Sequence, residues 1–116
     1  MTIDLEKVRI YLRPGATDLR KAVNGLTVMI QEGMEHDPFT GSVYLFCNRD
    51  RKLLKALWWD KTGFWLSQKR LSKDSKFPWP EHEAAVEELT GEEVSMLLRG
   101  IDFRKAHKPV QYERVS

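Results

Sequence analysis

Apolar and polar residues alternate from Val8 to Arg13. Val8, Ile10 and Leu12 stand against Arg9, Tyr11 and Arg13. A period of two predicts a short half-buried strand, stopped by Pro14-Gly15. The period then changes. Leu19, Ala22, Val23, Leu26, Met29 and Ile30 recur at helical spacing. They predict a helix with one buried face, capped by Thr17 or Asp18 and ended near Gly33. A turn-rich connector, EHDPFTG, follows at 35–41. Alternation returns in three strands, 43–47, 52–59 and 64–71. In the first, Val43, Leu45 and Cys47 point one way, and Tyr44 and Phe46 the other. Residues 48–51 make the first turn. Asp60-Lys61-Thr62-Gly63 makes the second, with the Asp and Gly placement of a type I turn. Such short links force antiparallel neighbours. Both faces of these strands carry apolar residues, which predicts one face under a helix and the other partly wet.

Phe77-Pro78-Trp79-Pro80 reads as an extended break. Residues 81–89 are acidic, and the stretch 81–93 reads as a solvated helix face or as a docking surface for a basic partner. Thr90-Gly91-Glu92-Glu93 is a capping box before Val94, Leu97, Leu98 and Ile101, which share one helix face. Gly100 is the expected stop. The element order is therefore β-α-β-β-β-α. It predicts a single α+β domain over residues 1–104, a mostly antiparallel sheet with helices packed on one face. The tail at 105–116 has few apolar anchors and is expected to be flexible.

Length and composition fit one such domain: 116 residues, 41% hydrophobic and 31% charged. A single cysteine, Cys47, permits no intrachain disulfide and suits a reducing compartment. No apolar run approaches the roughly 20 residues of a membrane span. The N-terminal MTIDLEKVRI lacks the apolar segment of a secretory signal, so a cytoplasmic location is expected.

Charge changes the picture more. Residues 49–76 hold nine Lys or Arg against three Asp, while the whole chain is only +2. A basic block is thus set beside acidic flanks. Lys and Arg neutralise phosphates, and aromatic rings stack on unpaired bases. Arg49, Arg51, Lys52, Lys55, Lys69, Arg70, Lys73 and Trp65 are the candidate DNA-binding residues. Trp58, Trp59 and Trp65 fit core packing as well as a stacking platform, and lysines along strands also guard sheet edges.

Catalytic constellations are not evident. His36, His82 and His107 stand in predicted loops or the tail without metal-ligand spacing. Cys47 has no glycine-rich elbow or local histidine and reads as a buried bystander. No phosphate-binding glycine motif occurs. Asp18, Asp37, Asp60 and Asp102 offer carboxylates for a nuclease-like cluster, but each also fits a cap, turn or helix end. No catalytic residue, metal or cofactor is assigned.

Four blocks occur together, in order: TDLRKAVNGL at 17–26, DPFTGSVYLFCNRDRKLLKALWWDKTGFWLSQKRL at 37–71, FPWP at 77–80 and LTGEEVSMLLRGIDFR at 89–104. Over about residues 7–104 the chain resembles the small accessory protein, called TnpB, of the sixty-six-type bacterial insertion sequences. The segment CNRDRK at 47–52 departs from the more uniformly Arg-rich turn expected of that family. The resemblance implies a mobile-element protein that assists a separate, larger transposase and supplies no catalytic residue itself. The expected function is a non-enzymatic accessory factor for transposition that binds DNA, the transposase, or both. The rivals are a pure protein–protein adaptor and a metal-dependent nuclease. Self-association is compatible with the sequence; membrane contact is not expected.

Overall fold

Residues 4–72 and 74–102 are described in a computed structural model of the chain. β1 (Ile10–Leu12) leads through a loop into α1 (Val23–Val28), which continues as a π-helical turn at Met29–Gly33. A single 3-10 turn at Pro38–Thr40 precedes a meander of β2 (Val43–Cys47), β3 (Leu53–Trp59) and β4 (Phe64–Arg70). β5 (Glu87–Leu89) and α2 (Gly91–Leu98) follow. The sheet order is β4-β3-β2-β1-β5. Among the described strands only β1 and β2 run parallel, with Ile10 opposite Val43; the other pairings are antiparallel. This is the expected α+β domain with a mostly antiparallel sheet. No helix among the described residues is long and apolar enough to cross a membrane. The tail at 105–116 lies outside the described residues.

The layering differs from expectation. The helices lie on opposite faces of the sheet, not on one. Leu26 and Ile30, from α1 and its π-helical extension, pack with Leu19 and Met34 against Tyr44, Phe46 and Leu57. Val94 and Leu97 of α2 pack with Phe77 and Trp79 against Ile10, Leu12, Val43, Leu45 and Leu54. Both faces of β2 are therefore covered, and all five of its residues are buried. The alternation at 43–47 gave the facing correctly. What it lacked was the parallel β1–β2 pair, whose crossover carries α1 over one face while the C-terminal segment covers the other.

Four local expectations are also corrected. The helix begins at Val23, and its N-cap Ala22 makes no side-chain cap bond. Asp18 instead accepts from the Arg20 backbone N–H and guanidinium, and the buried Thr17 hydroxyl accepts from Arg13. Ala22, assigned to the buried face, is exposed. Glu87–Leu89, within the stretch read as a solvated helix face, is a strand because Leu89 pairs beside Ile10. The second hairpin turn is not type I: Lys61 has φ +81. A left-handed first central residue matches the twist of a two-residue hairpin, which type I does not. The capping box at Thr90 and Glu93 forms as expected, with both reciprocal bonds present. Gly100 ends α2 at φ +77, donating to the Leu97 carbonyl.

Candidate nucleic-acid interface

Because β1 and β2 run parallel, the loops leaving both strands meet at one end of the sheet. The Thr17 N–H donates to the Cys47 carbonyl at 2.8 Å and holds the first loop there. In the second loop the Asn48 side-chain oxygen accepts from the backbone N–H groups of Lys52 and Leu53, at 3.1 and 3.0 Å. That bracket closes the turn and leaves Arg49, Asp50 and Arg51 exposed at its tip. Arg51 adopts φ +63. Open clefts flank the tip. One, of about 640 Å³, lies between residues 16–20 and the turn. The other, of about 360 Å³, lies between the turn, Gly15, Trp79 and His82. Arg49 borders both.

The other candidate residues are dispersed. Lys52 Nζ donates to the Ser75 carbonyl at 3.0 Å, and Lys55 Nζ to the Leu19 carbonyl at 2.7 Å. Both cations thus tie distant backbone to the sheet. Lys69 and Arg70 are exposed, but on opposite faces of β4, since Lys69 opposes Leu54 and Arg70 opposes Leu53. Lys73 lies outside the described residues. Trp58 is 8% exposed and belongs to the core, whereas Trp65 is 38% exposed. The two rings stack at 6.2 Å and 17°. Trp59 is half-buried in a cluster with Phe39 and Phe64.

The expected cap at Thr17 or Asp18 placed Arg20 inside a helix and hid it. It borders the larger cleft and forms an exposed ion pair with Asp18 at 2.8 Å, which holds the Asp18 carboxyl well below its usual range. Arg13 was passed over for a different reason: it reads as a polar position of the first strand. It is half-buried, and desolvation lowers its pKa. The signal that could have found both is the density of Arg and Lys across 13–21 beside Pro14-Gly15.

The remaining candidate chemistry has structural employment. Asp37 accepts from the Phe39 N–H and caps the 3-10 turn. Burial pushes the Cys47 thiol up to about 12. Among the described residues, no group of three or more His, Cys, Asp or Glu is placed to hold a metal ion. Asp60 accepts from the Thr62 N–H and hydroxyl, the Gly63 N–H and the Trp65 indole, the last at 2.6 Å. These donors favour the carboxylate and lower its pKa from 3.8 to about 2. The folded value lies below the unfolded one. Its contribution to stability is therefore present above 3.8 and lost as the pH falls through about 2. Asp60→Asn should flatten this acid limb of a thermal-stability profile. An acid limb identical to that of the parent chain would show that the bonds do not hold the turn.

A model of the family described as "IS66 Orf2 like protein" matches residues 8–108. The uncharacterized protein y4hO of Sinorhizobium fredii is 34% identical over 99 residues, covering 85% of this chain and 85% of that protein. The uncharacterized protein y4jC of the same organism is 30% identical over 105 residues, covering 90% of this chain and 89% of that protein. No solved structure matches the chain.

Proposed function

The chain belongs to the IS66 Orf2-like protein family, and on that premise we propose that it is a non-catalytic accessory factor for transposition of an insertion sequence, acting in the cytoplasm. It contacts DNA phosphates through the basic tip between β2 and β3, with Arg20 on the wall of the adjoining cleft. Another surface engages the transposase of the same element. The observation that carries this reading is the exposed Arg49–Arg51 tip between two open clefts, with Arg20 on the wall of one. A charged tip without a fitted pocket suits a backbone of repeating phosphates better than a small substrate.

Binding of labelled duplex and single-stranded DNA across a salt series tests it. Log affinity should fall linearly with log salt, and each lost duplex phosphate contact should flatten the slope by about 0.9. Replacing Arg49 and Arg51 together by Ala should therefore flatten it by about 1.8 if each holds one phosphate. Arg49→Ala and Arg51→Ala singly should each weaken binding to all sequences alike, because phosphate contacts carry no base information. No binding at low salt would overturn DNA contact and favour the adaptor reading, in which the basic tip meets acidic residues of the transposase. Metal-dependent cleavage of the DNA would instead overturn the non-catalytic assignment.

A further inference from the structure

Among the described residues the two edges of the sheet differ. One is β5, three residues long. The other is β4, seven residues long, without proline or glycine and exposed over most of its length. A long edge of that kind is a template for another strand. We propose that β4 pairs antiparallel with β4 of a second copy of this chain, centred on Ser67, so that one sheet runs through a two-fold dimer. This goes beyond the accessory-factor reading and does not depend on DNA contact.

Hydrogen bonding limits how the strands can meet. Asp60 donates to the Gly63 carbonyl, and Leu71 donates to the Lys52 carbonyl, so residues 63 and 71 turn their backbone groups toward β3. Antiparallel alternation then turns 65, 67 and 69 the same way, and sends the backbone groups of Phe64, Leu66, Gln68 and Arg70 outward. Centred on Ser67, Phe64 opposes Arg70 of the second copy and Leu66 opposes its Gln68. Every outward group meets an outward group. A slip of one residue would set outward groups against inward ones and reverse the faces.

Side chains select this register among those the backbone allows. Trp65 comes opposite Lys69 of the second copy, and Phe64 opposite its Arg70, so each cation lies against an aromatic ring. Trp65 and Lys69 share the face covered by α2, because they oppose Trp58 and Leu54. They form a non-hydrogen-bonded pair, the closer of the two antiparallel spacings. The indole is already fixed by its Asp60 bond and its stacking on Trp58, so little freedom is lost on contact. Lys69 also borders an apolar cleft of about 350 Å³ lined by Ala56, Trp58, Val94 and Leu98, beside which the incoming indole lies. A register shifted by two residues toward the strand's C-terminal end leaves both rings without a cation, and one shifted by four sets Lys69 against Lys69. Parallel pairing would set like charges side by side. The clustering of both cations at one end of β4 and both rings at the other makes the edge self-complementary, where evenly spread lysines would protect it.

Sedimentation of the full chain at about 100 μM should give twice the monomer mass, with concentration-dependent dissociation. Ser67→Cys tests the register. The introduced thiols meet across the two-fold axis at about 4.5 Å between Cα atoms, within disulfide reach. Mild oxidation should convert that variant to a covalent dimer. Gln68→Cys should not cross-link, because those thiols lie diagonally, with Cα atoms about 7–8 Å apart. Gln68→Pro removes an outward N–H but no bond to β3, and should yield a folded monomer by circular dichroism. A monomer at this concentration overturns the proposal, even if added DNA or protein proves to bind β4. So does a dimer that Ser67→Cys fails to cross-link, or one that Gln68→Cys cross-links equally well.

Discussion

Leu97→Ala is expected to destabilise the domain by about 2–5 kcal/mol, the usual range for a buried leucine. Leu97 is fully buried, and it packs α2 onto the face formed by Ile10, Leu12, Val43 and Leu45. The position gains weight from α2 being only eight residues long, too short to persist on its own. Its capping box fixes where the helix starts, but packing keeps it folded. Removing the side chain leaves a cavity lined by strands from both ends of the chain, which backbone relaxation cannot readily fill. Thermal unfolding by circular dichroism should show the midpoint fall by about 4–8 °C for each kcal/mol lost. A midpoint within error of the parent would mean that α2 does not rest on this face.

Gly15→Ala is the second large effect. Gly15 has φ +79, and a Cβ there would stand 2.6 Å from the His82 Cβ and 2.9 Å from its Cα. Backbone cannot yield as a flexible side-chain tip can. The left-handed conformation alone disfavours alanine by about 1–2 kcal/mol. The collision would also push residues 80–82 away, with the bond from the Gly15 N–H to the Pro80 carbonyl at 2.9 Å. The neighbouring bond, from the Trp79 indole to the Arg13 carbonyl at 2.8 Å, would follow. Gly41→Ala is the matched control. Gly41 also has positive φ, but the nearest atom to its added Cβ is 3.8 Å away. A larger fall in melting temperature at Gly15 than at Gly41, with altered Trp79 indole exchange, is expected. Equal falls would show that the contact with His82 does not matter.

How far the sequence carried depends on how local each determinant is. The three meander strands, their two turns, the Thr90 capping box and the Gly100 stop are set by residues within a few positions of one another, and all appear where expected. The start of α1 was misplaced because Thr17 is a good cap by residue type, yet its hydroxyl serves the Arg13 guanidinium. β5 was missed because Glu87-Glu88-Leu89 has no strand pattern of its own; it is a strand because β1 lies beside it. The opposite placement of the helices follows from the parallel pairing of residues far apart in the chain. The basic block was legible from charge alone. That Lys55 binds the Leu19 carbonyl was not, since that contact joins positions 36 residues apart.

β1 sets an order in time. Its three residues precede the other described strands in the chain, yet they pair with residues 43–45 on one side and 87–89 on the other. A nascent chain that has released the meander can pair one flank of β1, while the other stays open until β5 emerges. Contacts of such sequence separation form slowly, and an unpaired strand is adhesive while it waits. The acidic run around β5 therefore reaches β1 after the meander does, completing a strand that was released well before it.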